Sequence, residues 1–175
     1  MTRIEFKIFE RTRYVRMKTK VLSLLVDNTS GVLSRVSGMF SRRGYNIDSL
    51  TVGVTENPKY SRMTVVVSGD DNILNQIKNQ LNKLEDVVEI TELLPGSSVQ
   101  RELVLVKIKA DATQRMQIIE IANVYRANIV DVSPDSLIIE LTGNTNKVQA
   151  FINLLAGVEI ENIVRTGLTG LTRGL

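Results

Sequence analysis

The hydrophobic period of this chain switches in a fixed order, and that order constrains the fold more than any single motif does. Strand-like runs give way to helical stripes as strand, helix, strand, strand, helix, strand, and the whole order then repeats. In the first copy, 18–26 is apolar on both faces, with Val21 and Leu25 on one and Leu22, Leu24 and Val26 on the other. A strand of that kind belongs inside a sheet. Residues 31–43 follow as a helix with Val32, Leu33, Val36, Met39 and Phe40 on one stripe. Thr29 or Ser30 is placed to cap its start, and Gly44 to end it in a left-handed turn. A strand over 46–55, a hairpin loop at 56–60 and a strand over 61–68 come next. A helix over 70–83 carries Ile73, Leu74, Ile77, Leu81 and Leu84 on one side, with Asp70 or Asp71 in its first turn, and a strand over 87–94 closes the copy.

The second copy runs through strands at 102–109, 128–133, 136–142 and 158–165, with helices at 113–125 and 144–155. Its helices turn Ile118, Ile119, Ala122 and Tyr125, then Val148, Phe151, Ile152 and Leu155, toward a core. Local echoes tie the copies together: Ser68-Gly69-Asp70-Asp71-Asn72 answers Thr142-Gly143-Asn144-Thr145-Asn146, and Asn46-Ile47 answers Asn128-Ile129. The order β-α-β-β-α-β is the ferredoxin-like split βαβ. The expected class is therefore α+β, with two tandem ferredoxin-like βαββαβ domains. We place an N-terminal extension at 1–17, in which Ile4, Phe6 and Ile8 alternate as one more strand would. The first domain follows at 18–95, a linker at 96–99 and the second domain at 100–175. The Gly- and Thr-rich tail from 167 onward reads as loose.

Composition excludes several kinds of chemistry. The chain has no Cys and no His, which rules out disulfides, ordinary zinc sites, redox dithiols and every Ser-His or Cys-His nucleophile. The net charge of +3 is concentrated in residues 1–20, where seven Lys/Arg face two Glu. No apolar run is long enough to span a membrane, and the basic start lacks the apolar core of a secretory signal. An RNA-binding module of the same strand order needs aromatics on its first and third strands to stack bases. Residues 21–26 and 61–68 contain none, so no nucleic acid is expected as a partner.

The loop between the first strand and first helix, Asp27-Asn28-Thr29-Ser30-Gly31, is the leading candidate site. It aims a helix N-terminus, with its unpaired N–H groups, at whatever lies above it, and a small carboxylate is a natural occupant. An ordinary capped helix start accounts for the same residues, and the sequence alone leaves both readings open. Asn46 and Ile47 open the second strand just past Gly44; the amide is placed to meet a ligand's polar group, or is a turn Asn. The second strand lies at a sheet edge in this fold, and Thr51-Val52-Gly53-Val54-Thr55 carries neither the charge nor the Pro that protects an edge. We expect it to pair with the same strand of a second copy across a two-fold axis. Arg42, Arg43 and Arg62 are read as solvated surface charges. Glu85, Asp86, Glu89 and Glu92 lack the spacing of a metal site. The second copy has Lys109-Ala110-Asp111-Ala112-Thr113 at the corresponding loop, without the Asn and Gly, and is not expected to bind in the same way.

The blocks LLVDNTSGVLSR (24–35), FSRRGYNIDSLTV (40–52), SRMT (61–64), QIKNQLNKLEDV (76–87) and RELVLVKIKA (101–110) resemble the small regulatory subunit family of acetolactate synthase, also called acetohydroxyacid synthase. The likeness covers about 18–170 and rests on several ordered blocks. It implies an N-terminal ACT domain that senses amino acids and a C-terminal ACT-like domain. It implies no catalysis and no cofactor in this subunit. The chemistry is expected in a large catalytic subunit that uses thiamine diphosphate, FAD and magnesium to make acetolactate in branched-chain amino acid biosynthesis. The small subunit is expected in the cytoplasm, as a homodimer that activates its partner and confers feedback inhibition by valine, or by isoleucine or leucine. Carried over by position, the effector contacts are Asn28, Gly31 and Val32 where the loop grips the amino acid, and Asn46 and Ile47 where the facing subunit closes the site. A free-standing amino-acid sensor of the same fold acting on another enzyme is the alternative.

Overall fold

The computed structural model describes residues 18–174. The reading of 1–17 as an extension lies outside the described residues. In the first half, β1 (Lys18–Asp27), α1 (Val32–Arg42), β2 (Ser49–Val54), β3 (Tyr60–Gly69), α2 (Asp71–Leu81) and β4 (Val87–Glu92) follow in the expected order. They build an antiparallel sheet in the order β2-β3-β1-β4. The two strands with apolar residues on both faces, β1 and β3, are the central ones. Leu22, Leu24 and Val26 meet Met63, Val65 and Val67 beneath Val36, Met39 and Phe40 of α1 and Leu74, Ile77 and Leu81 of α2.

The second half repeats the plan with β5 (Ser98–Lys109), α3 (Ala112–Tyr125), β6 (Asn128–Val132), β7 (Ser136–Gly143), α4 (Thr145–Leu154) and β8 (Ile160–Arg165), in the order β6-β7-β5-β8. Its core gathers Val104, Val106 and Ile108 with Ile118, Ala122, Val148 and Phe151, and the Phe151 ring sits 5.4 Å from that of Tyr125.

Several expectations are corrected. The tail is not loose: β9 (Thr169–Thr172) pairs antiparallel with Ser98–Arg101, the leading third of β5. For the same reason Ser98 and Val99, read as linker, belong to a strand, opposite Thr172 and Leu171. Neither segment has a periodic pattern of its own; each is ordered by the other. On α1, Leu33 is 46% exposed, because Val32, Val36, Met39 and Phe40 already fill the face toward the sheet. The expected N-cap, Thr29 or Ser30, gives way to Gly31, which enters the helix at φ +87°. Gly44 does take the left-handed turn past the end of α1, at φ +66°.

Candidate functional site

The β1–α1 loop is pinned at its base and open at its top. The Asp27 N–H donates to the Asp86 carbonyl at 2.9 Å, and the Asn28 N–H donates to the Lys59 carbonyl at 2.7 Å. The Asn28 side chain ties the loop to the β2–β3 hairpin: Nδ2 donates to the Pro58 carbonyl at 2.9 Å, and Oδ1 accepts from Ser61 Oγ at 3.0 Å. One hydrogen of the amide and one lone pair stay available. Beyond it, Gly31 adopts a backbone conformation that a side chain disfavours. The Gly31 carbonyl accepts the Arg35 N–H at 2.9 Å, so the N–H groups of Val32, Leu33 and Ser34 precede the first intrahelical bond. No side chain caps them.

This end is unlike the other three. Asp70 caps α2 by accepting from the Ile73 N–H at 2.8 Å, and Asn144 caps α4 by accepting from the Lys147 N–H at 2.8 Å. Asp111 caps α3 with a full capping box. Hydrogen bonds from the Thr113 hydroxyl, then from the backbone N–H of Gln114 and of Thr113, hold the Asp111 carboxyl below its ordinary range. Of the four α-helices among the described residues, only α1 begins without a side-chain cap. The loops differ in length as well. Asn28, Thr29 and Ser30 separate β1 from the cap position Gly31, whereas Ala110 alone separates β5 from Asp111. The second copy carries a carboxylate of its own at the helix start, and the first carries none.

Arg35 and Asp86 frame the loop. The guanidinium makes a two-point contact, Nε to Oδ2 at 2.6 Å and Nη2 to Oδ1 at 2.8 Å. Each partner favours the charged form of the other, so the Asp86 carboxyl is held below its usual range and Arg35 above its own. Arg35 Nη1 lies 2.8 Å from where a Cβ on Gly31 would stand, a second reason for glycine there. Of the other singled-out charges, Glu92 pairs with Lys20 at 3.1 Å, Arg62 reaches Ser23 Oγ at 3.1 Å, and Arg43 reaches Gln80 at 2.8 Å. These contacts stay within the protomer.

Asn46 and Ile47 do not meet this loop within one protomer. Asn46 Nδ2 donates to Asp48 Oδ1 at 2.7 Å, and Ile47 packs against the core. The Asp48 N–H donates to the Val66 carbonyl, whereas Asn28 is tied to Ser61. Five steps of β3 separate Ser61 from Val66, roughly 17 Å at about 3.3 Å per residue. The two parts of the candidate site therefore stand at opposite ends of β2.

Two linked sheets of this topology, one with an uncapped helix start and one with that start filled, define the molecule as a pair of ACT-type units, the first with an open loop. The family model for the ACT domain of acetohydroxyacid synthase small subunits matches residues 22–89, and the model for the small subunit of acetolactate synthase matches 101–174. The acetolactate synthase small subunit of Mycobacterium bovis is 51% identical over 157 residues, which cover 90% of this chain and 94% of that one. The probable acetolactate synthase small subunit of Methanothermobacter thermautotrophicus is 47% identical, over 89% of this chain and 94% of its own. The crystal structure of the acetolactate synthase small subunit from Thermotoga maritima superposes with a TM-score of 0.83 at 41% identity, covering 90% of this chain and 99% of that one. This chain belongs to the acetolactate synthase small subunit family. Membership implies a catalytic large subunit as partner. Among the described residues, no helix is long and apolar enough to cross a membrane.

Proposed function

We propose that this protein is a non-catalytic regulatory subunit that activates the large subunit of acetolactate synthase and relays feedback inhibition by a branched-chain amino acid, valine foremost, in the cytoplasm. The thiamine diphosphate, FAD and magnesium of the reaction belong to the large subunit. The observation that carries this reading is the uncapped start of α1 behind left-handed Gly31, beside a second copy whose own Asp111 carboxylate fills the same place. An amino-acid carboxylate there accepts from the N–H groups of Val32, Leu33 and Ser34. Such an interaction is worth about 0.3–1 kcal/mol when exposed and up to about 2 when partly buried.

The two ends of β2 supply the other half of the argument. β2 is an edge strand, and Val52 and Val54 on it are 44% and 63% exposed. A Cβ on Gly53 would meet nothing within 4 Å, so its missing side chain has no cause inside the protomer. Antiparallel pairing of β2 with a second copy about a two-fold axis lays the start of one strand beside the end of the other. That pairing carries the partner's Asn46 and Ile47 to the loop holding Asn28, Gly31 and Val32, and closes the site from above. Effector occupancy and dimer geometry are then one equilibrium, and a coupling of about 1–3 kcal/mol is enough to bias a catalytic partner.

Calorimetry of the full chain with valine, leucine and isoleucine, beside Asn28→Ala, tests the proposal. Saturable binding of at least one, lost in the variant, is expected; binding that survives the variant places the site elsewhere. Assays of the reconstituted enzyme then read the relay, and a small subunit that binds valine without changing the activity of its catalytic partner refutes regulation.

A further inference from the structure

Besides the chain itself between β4 and β5, a side-chain clasp on β2 joins the two halves. Where the chain leaves β8, Thr166–Leu168 crosses to the sheet of the first half. Thr51 Oγ1 donates to the Leu168 carbonyl at 2.9 Å, with the Thr166 carbonyl at 3.4 Å. In return, the Leu168 N–H donates to Ser49 Oγ at 3.1 Å. Both hydroxyls stand on the face of β2 opposite Leu50, which packs toward the helices. The Leu168 side chain packs against Val21, Val66 and Leu93 on that open face.

The surroundings fix this crossing on both sides. Gly167 has φ +87°, and a Cβ there would overlap Ser49 Oγ and stand 3.1 Å from Thr51 Oγ1. Upstream, Arg165 makes a two-point contact with Glu102, Nε at 3.0 Å and Nη2 at 2.5 Å, and Glu102 is 4% exposed. Downstream, the segment becomes β9 and pairs with the start of β5, whose remainder is one of the two central strands of the second sheet. A Cβ on Gly170 would meet the Val99 carbonyl at 2.7 Å, so the two strands are in close backbone contact.

We propose that the Ser49/Thr51–Leu168 clasp is the coupling element of the subunit. Displacement of edge strand β2 is passed through Thr166–Leu168 to β9 and the start of β5, and so to the C-terminal half. The inference rests on the reading that the β2 edge closes the effector site. It adds the route by which occupancy leaves that site. Ser49 and Thr51 act as positioning residues, because dimer pairing uses the β2 backbone and their side chains face the tail.

The test is residue-resolved hydrogen exchange of the full chain, in the wild type, Ser49→Ala/Thr51→Val, Thr51→Ser and Gly167→Ala. Without effector, the double variant and Gly167→Ala should speed exchange of the β9 amides, 169–172, at least about tenfold, while β6 and β7 stay unchanged and Thr51→Ser stays near wild type. Unchanged β9 exchange overturns the clasp. With valine added, wild-type β9 amides should slow. The double variant should bind valine within about threefold of the wild-type Kd by calorimetry and show no slowing at β9. Slowing that persists in the double variant overturns the coupling. If the wild type takes up no branched-chain amino acid, the effector reading fails, and the effector-free rates alone decide whether β2 and β9 are linked.

Discussion

Gly31→Ala is the sharpest test of the open loop. At φ +87° a side chain costs about 1–2 kcal/mol relative to right-handed backbone. Alanine returns about 0.4–1 kcal/mol by restricting the unfolded chain. The net is a destabilisation of up to about 1.6 kcal/mol. A further effect is steric: the new Cβ stands 2.8 Å from Arg35 Nη1. The guanidinium must swing aside and loosen its hold on Asp86, at modest cost because the side chain is flexible and exposed. At about 2–4 °C per kcal/mol for a chain of this size, the melting temperature should fall by up to about 6 °C. The same change tilts the three open N–H groups and crowds a bound carboxylate. Loss of a carboxylate interaction of up to about 2 kcal/mol weakens binding by up to about thirtyfold. Thermal unfolding and valine calorimetry on the same samples read both quantities. A variant more stable than the wild type refutes the left-handed loop. A destabilised variant with undiminished affinity refutes the helix start as the carboxylate's seat.

Other expected outcomes follow from the same contacts. Asn28→Ala removes two hydrogen bonds between the loop and the hairpin; at about 0.5–1.5 kcal/mol each, urea unfolding should register a loss of roughly 1–3 kcal/mol along with effector binding. Gly53→Lys places a charge on an edge that carries none, and should shift the chain toward monomer in light scattering with little change in stability. Phe151→Ala empties a fully buried site in the second core and should cost about 3–5 kcal/mol in denaturant unfolding. The Asp111 and Asp86 carboxyls are held below the usual value of about 3.9, so the stability each adds is full above that value and is lost as pH falls through the lower folded value. Melting temperatures between pH 5 and pH 2 should therefore drop less steeply in Asp111→Asn, which keeps a capping side chain without the titration.

Much of this molecule is legible in the sequence because it is local. Apolar residues on both faces of 18–26 and 61–68 mark the central strands, and the stripe Val32, Val36, Met39, Phe40 marks the buried face of α1. Gly44 announces its left-handed turn, and the missing Asn and Gly at 109–113 separate the second loop from the first. These features are fixed by one residue's backbone preference or by a period within one element. Tertiary structure alone decided the rest. Thr29 and Ser30 are good capping residues, yet Gly31 takes the cap position and leaves the α1 N–H groups open. The tail after Gly167 has no strand pattern of its own; Ser98–Arg101, about seventy positions earlier, supplies the partner that makes it a strand. The separation of Asn28 from Asn46 within one protomer is likewise set by pairing, because the register of β2 on β3 puts their anchors, Ser61 and the backbone of Val66, five steps of β3 apart. A sequence displays what each segment favours; which distant segment satisfies its backbone groups, and from which chain, is settled by packing.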